Sequence, residues 1–155
     1  MAQIKPIKKN LYDKILRLMP IVCVDLLIKR GKKILLVKRK NNPAKGEWWL
    51  PGGRIFKTET IERAARRKAR GEVGLSCSFK KISQVTSTYF KKTEDMQFDI
   101  HTINIIVELK QIDNREPAVD WDHGGWRWAD CNSKSYHLYI QKILAGQGFK
   151  YRRFK

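Results

Sequence analysis

Between Pro51 and Leu75 the chain reads PGGRIFKTETIERAARRKARGEVGL. Adjacent glycines free the backbone for a tight turn, so Pro51-Gly52-Gly53 predicts one. Beyond it, Ile61, Ala64, Ala65 and Ala69 recur at helical spacing and form a face of small side chains suited to close packing. Thr58 is the expected N-cap, with Glu59 and Glu62 as first-turn acids that complement the helix dipole, and Gly74 is the expected stop. A turn leading directly into a closely packed helix constrains the fold, because the remaining segments must supply the surface it packs on.

Those segments are mostly strand-like. IVCVDLLI and KKILLVKRK flank Arg30-Gly31 and predict a hairpin. NNPAKGE is a loop and WWL a short strand. KKISQVTSTYF and FDIHTINIIVEL predict two longer strands, joined by KKTEDMQ. IDNREPAVDWDHGG is a long loop before a strand, WRWAD, and residues 133–145 look helical. Upstream, LYDKILRLM places Leu11, Ile15, Leu18 and Met19 on one helical face that packs on the domain or on a second subunit, and Pro20 ends it. The order predicts a mixed sheet flanked by helices in one domain spanning residues 1–155, with a helical arm at 1–19 and a basic tail at 146–155.

At 155 residues and 42% hydrophobic, with five tryptophans, the chain has the material for a real core. Its formal charge of +18 favours polyanionic or phosphate-bearing ligands without choosing among nucleic acid, anionic membrane and small molecules. The three cysteines, Cys23, Cys77 and Cys131, show neither metal-ligand spacing nor a disulfide framework. With no signal-peptide core or membrane-length apolar run, a cytoplasmic protein is expected.

The glycine-to-helix stretch resembles the signature of the Nudix hydrolases, G-x5-E-x7-R-E-U-x-E-E-x-G-U with U aliphatic. Gly53, Glu59, Arg67, Glu72, Gly74 and Leu75 fall on its fixed positions. Lys68 stands where the glutamate after the arginine belongs, and Gly71 where the first glutamate of the pair belongs. The full signature places three carboxylates on one helical face, able to hold several metal ions. This chain keeps Glu72 alone, which suits one Mg²⁺. The resemblance implies an αβα sandwich around a mixed sheet.

The reduced pattern, together with VDLLI, LLVKRKNNPAKGEWWLPGGR and DWDHGGWRW, is similar to the GDP-mannose mannosyl hydrolase branch. In that branch water attacks the sugar's anomeric carbon with inversion and GDP leaves. The resemblance implies His123 as general base. Glu72, the main-chain carbonyl of Gly52, and Asp122 (where the branch has a glutamine) would hold one Mg²⁺, with Mn²⁺ as the alternative ion. Arg39 and Arg54 would bind the diphosphate, Asp25 would act at the sugar end, and Arg67 would pair with Glu59 or Glu72 and organise the helix. Thr102 replaces a leaving-group tyrosine of the branch. A homodimer acting on a nucleotide sugar is also implied.

Plainer readings stand beside these. Asp25 is otherwise a strand residue at a cavity edge, and the two tryptophans are core or one of them a base-stacking ring. His101 and His137 read as structural, and Arg63, Arg66 and Arg70 as a solvated face. Two other functions compete: a diphosphohydrolase cutting the phosphate chain, and a non-enzymatic nucleic-acid binder, which the charge alone favours.

Overall fold

The computed structural model describes residues 6–152. The first five residues of the expected arm and the last three of the expected tail lie outside that range. The chain runs α1 (Lys9–Leu18), β1 (Ile21–Arg30), β2 (Lys33–Arg39), β3 (Trp48–Trp49), β4 (Gly52–Arg54), α2 (Ile61–Val73), β5 (Cys77–Phe90), β6 (Ile100–Gln111), β7 (His123–Ala129) and α3 (Leu138–Gly146).

Among the described residues the strands form one seven-stranded mixed sheet. β1 lies parallel to β6 over nine residue pairs, and every other pairing is antiparallel. The other edge of β1 is shared: Lys29 and Arg30 pair with β2, whereas Cys23, Val24 and Asp25 pair with β4. β2 turns away from β1 to pair with β3 and β7, leaving a fork in the sheet that β4 partly fills.

β1 is a continuous apolar run because both faces of the sheet are covered. Val24, Leu26 and Ile28 pack with Ala64, Ala65, Ala69 and Val73 of α2 on one side. Leu27, Ile34, Leu36 and Ile106 pack with Ile140, Ile143 and Leu144 of α3 on the other. The expected αβα sandwich is therefore observed, with α2 and α3 as its outer layers. The fully buried alanines of α2 let that helix lie close against the strands.

Several local expectations are corrected. Pro51-Gly52-Gly53 does not simply turn, since Gly52 and Gly53 form β4 on the edge of β1. The cap of α2 is Thr60, whose side chain accepts from the Arg63 amide; Thr58 instead takes φ +67°, and Glu59 precedes the helix. Gly74 ends α2 as expected, in the left-handed conformation. α3 starts at Leu138, not near Ser133, and its N-cap is His137, whose ring accepts from the Tyr139 amide. The tail is partly anchored: Phe149 packs on the α3 core, and Tyr151 bridges to Asn132.

α1 buries none of its residues, and Leu11, Leu18 and Met19 remain exposed. Of the tryptophan pair, Trp49 is core, stacked on Tyr139 at 4.7 Å, while Trp48 lies beneath the Arg127 guanidinium. All three cysteines are unpaired. Among the described residues no helix is long and apolar enough to cross a membrane.

Candidate active site

A cavity of about 580 Å³ opens at the fork between β2 and β4. The sequence-predicted residues Asp25, Arg39, Gly52, Arg54, Glu72 and His123 all line it, together with Thr102 and Asp122. Tyr12 and Leu16 of α1 contribute a further wall, a role that the helix's apolar pattern alone did not disclose. Arg67 is the one predicted site residue outside the lining.

The glycine strand sits where no other residue fits. A Cβ at Gly52 would lie 2.2 Å from the Val24 carbonyl oxygen and 2.8 Å from an Asp25 carboxylate oxygen. Gly53 has φ +150°, and a Cβ there would meet the Lys68 ammonium at 2.8 Å. The pair therefore brings bare backbone between the carboxylate of β1 and the polar face of α2.

On that face Glu72 is buried and fully engaged. Its Oε1 lies 2.7 Å from Lys68 Nζ, and its Oε2 accepts from the Gly52 amide at 2.8 Å. Arg67 does not join them. Its Nε and one terminal nitrogen grip the two oxygens of Glu59 at 2.7 and 2.8 Å, and the same terminal nitrogen donates to the Arg54 carbonyl. Glu59 also accepts from the Phe56 amide, and the Arg67 guanidinium stacks on the Phe56 ring. The bonds from Arg67 hold the Glu59 carboxyl below its ordinary range. Arg67 thus fastens the segment carrying Arg54 to α2 through Glu59 and the Arg54 carbonyl.

The two diphosphate candidates are held differently. Arg39 is largely buried, its Nε donates to the Pro43 carbonyl, and burial lowers its pKa. Arg54 lies over the rings of Tyr12 and Phe56. A bulge in the β2–β7 ladder sets Arg39 opposite His123, so one irregularity turns both side chains toward the cavity.

His123 is buried, and its Nδ1 lies 2.6 Å from Asp120 Oδ1, which also accepts from the Asp122 amide. A carboxylate can only accept, so Nδ1 is the donor in this contact, and in the neutral ring Nε2 is then the accepting nitrogen. The loop bearing this pair is docked on the end of α2: the amides of Ala118 and Asp120 donate to the carbonyls of Val73 and Glu72. Carbonyls left without partners at a helix end thereby locate the histidine relative to Glu72.

Asp25 is 4% exposed yet satisfied, accepting from Asn104 Nδ2 and from the Tyr139 hydroxyl. Thr102 donates to Asn104, extending the network. Burial pushes the Asp25 carboxyl from 3.8 up to about 6, against the lowering effect of those two bonds and of Arg39. Sequence reasoning missed Asp120, Asn104 and Tyr139. Asp120 had a readable signal, the aspartate three residues before His123; Tyr139 had none, lying 114 residues from Asp25.

Among the described residues no three His, Cys, Asp or Glu side chains gather as a metal cluster. The available donors are all oxygens: the Glu72 carboxylate, the Gly52 carbonyl, and the Asp122 carboxylate, whose Oδ1 is held by Asn41 Nδ2 at 2.5 Å. That set suits a single hard cation completing its shell with phosphate and water, provided Lys68 releases Glu72 Oε1.

The NUDIX domain model matches residues 19–138. The chain is 30% identical to the low-salt glycan biosynthesis protein Agl8 of Haloferax volcanii, over 86% of this chain and 85% of that one. It is 37% identical to an ADP-ribose pyrophosphatase of Methanocaldococcus jannaschii, over 74% and 69% of the two chains. Among solved structures, a MutT Nudix hydrolase of Burkholderia pseudomallei is 26% identical with a TM-score of 0.67, covering 83% of this chain and 98% of that one.

Proposed function

The chain belongs to the Nudix hydrolase family, and on that premise we propose that it hydrolyses a nucleotide sugar, GDP-mannose or a close relative, by water attack at the anomeric carbon. The observation that carries this reading is the buried His123–Asp120 pair at a cavity whose α2 face retains only Glu72, already bound to an ammonium. Chemistry at phosphorus with several metal ions needs a set of helix carboxylates that this face lacks. Chemistry at carbon needs a base for water and a cationic seat for the leaving diphosphate, and the cavity supports both.

In this mechanism Nε2 of His123 takes a proton from water as the water oxygen bonds to the anomeric carbon. The carbon–oxygen bond to the diphosphate breaks, and its electron pair leaves with the diphosphate. Asp120 holds the ring and stabilises the imidazolium that forms. Arg39 and Arg54 receive the diphosphate, where forked guanidinium donors match phosphate oxygens. Asp25 accepts from a sugar hydroxyl, and Thr102 lies beside it in the same network. Nudix hydrolases in general use divalent metals such as Mg²⁺; here Glu72, the Gly52 carbonyl and Asp122 would hold one, which would supply charge stabilisation for the departing diphosphate.

The likeness to the Haloferax glycan-biosynthesis protein supports a sugar-nucleotide substrate. The likeness to an ADP-ribose pyrophosphatase favours a second reading, cleavage within the diphosphate itself. Product analysis over a nucleotide-sugar panel separates them. Free sugar with a nucleoside diphosphate is expected; a nucleoside monophosphate with a sugar phosphate would establish the second reading.

A further inference from the structure

Three cationic side chains from described residues line the cavity: Arg39, Arg54 and Lys68. The two arginines are already placed, one bonded to the Pro43 carbonyl and one stacked on Tyr12 and Phe56. Lys68 is different. Its ammonium is tied to a carboxylate, Glu72 Oε1 at 2.7 Å, and both side chains are largely shielded from solvent.

Lys68 sits where the family signature carries a carboxylate, so the charge at this position is reversed. The fold makes room for the reversal, since Gly53 has no Cβ and the ammonium occupies the space a side chain would need there. That places the charge against the Gly52–Gly53 backbone and within electrostatic reach of the β1 wall, where burial raises the Cys23 thiol pKa and the Lys68 charge acts in the opposite, lowering direction. A lysine preceding its glutamate by four residues is the weaker orientation of a helical ion pair. Its flexible stem and three donors also let the ammonium change partner.

We propose that Lys68 is a resident cation of the diphosphate site: when a diphosphate enters, the Lys68 ammonium moves from Glu72 to the phosphate oxygens, doing in this chain what a metal held by the missing carboxylate does elsewhere in the family. The exchange frees Glu72 Oε1 for a cation, so lysine and metal cooperate instead of competing once the ligand is bound. It follows that the protein binds nucleoside diphosphates without any metal. The proposal rests on the preceding reading only for the diphosphate, which both candidate reactions share.

The test is calorimetric titration of GDP, and in parallel ADP, into the full chain in excess EDTA. Wild-type protein is expected to bind at least one of them. Lys68→Met should weaken that binding by about tenfold or more, the loss of a charge-assisted phosphate contact, and Lys68→Arg should restore most of it. Glu72→Gln should bind as well as wild type or more tightly, because it removes the competing carboxylate. Circular dichroism confirms that each variant is folded. Equal affinity of wild type and Lys68→Met would overturn the proposal, as would absence of binding by wild type. So would an equal loss in Glu72→Gln and Lys68→Met, which would reduce Lys68 to a holder of Glu72. None of these results depends on which bond the enzyme cuts.

Discussion

Asp120 lies outside the cavity lining and its only side-chain partner among the described residues is the proposed base, His123, so truncating it probes the contribution of that pair. In Asp120→Ala the 2.6 Å contact to His123 Nδ1 disappears, and the Asp122 amide loses the same acceptor. The main-chain bond from Asp120 to the Glu72 carbonyl survives, so the loop stays docked on α2. A hydrogen bond to a charged group contributes about 1.5–3 kcal/mol. Expressed wholly in the transition state, that predicts a fall in kcat of about 10- to 150-fold. KM should change by less than about threefold, since Asp120 faces no substrate atom. Asp120→Asn keeps an acceptor but loses the charge, and should fall between wild type and the alanine variant. His123→Gln should cost about 10²–10⁴-fold in kcat. The assay is steady-state kinetics on the four members of the cycle, each checked for fold by thermal melting. Because Asp120 acts through His123, the double variant should be no slower than His123→Gln alone. A kcat for Asp120→Ala within about twofold of wild type, or multiplicative losses in the double variant, would refute the pairing argument.

Two further predictions concern stability. The native state holds the Asp25 proton up to about pH 6, whereas the unfolded chain releases it near 3.8. Between those values the folded state binds the extra proton, so this group's contribution falls as pH rises and is least favourable above 6. Asp25→Asn should therefore be the more stable protein at about pH 8, by on the order of 2–3 kcal/mol, with the gap closing as pH falls toward 4. Urea unfolding across that range measures it, and a gap independent of pH would contradict the assignment. Separately, Gly71 lies inside α2, exposed, and a Cβ there meets nothing within 4 Å. Gly71→Ala should stabilise by about 1 kcal/mol and raise Tm by about 2–4 °C; a lowered Tm would show that the glycine is needed there.

The parts of the fold readable in the sequence are those written in local pattern. The β1–β2 hairpin, the alanine face of α2 and its stop at Gly74 all follow from periodicity and turn chemistry, and they appear as expected. The errors arise where tertiary contact overrides a local signal. Thr58 is the expected cap, but Thr60 is the one that meets the first helical turn, with Glu59 held ahead of the helix by Arg67. Gly52 and Gly53 read as a turn, yet they pair with β1 as a strand, Gly52 where only bare backbone fits beside Val24 and Asp25 and Gly53 at φ +150°.

The site divides in the same way. Eight of the nine predicted residues converge on one cavity because the family likeness carries long-range information that no single segment holds. What that likeness omitted is the supporting layer. Asp120 was overshadowed by its neighbour Asp122. Asn104 and Tyr139 reach Asp25 from β6 and α3, through pairings that only the assembled sheet and its covering helix create. Lys68 was visible as a departure from the signature, but its contact with Glu72 and its fit against Gly53 are properties of the folded chain.

Hydrolysis in ¹⁸O-labelled water tests the central claim most directly, because it reports which atom the attacking water bonds to. With GDP-mannose as substrate and Mg²⁺ present, the label is predicted to enter free mannose and to be absent from GDP. Label in GDP, in a nucleoside monophosphate or in a sugar phosphate would place the attack at phosphorus and contradict the account.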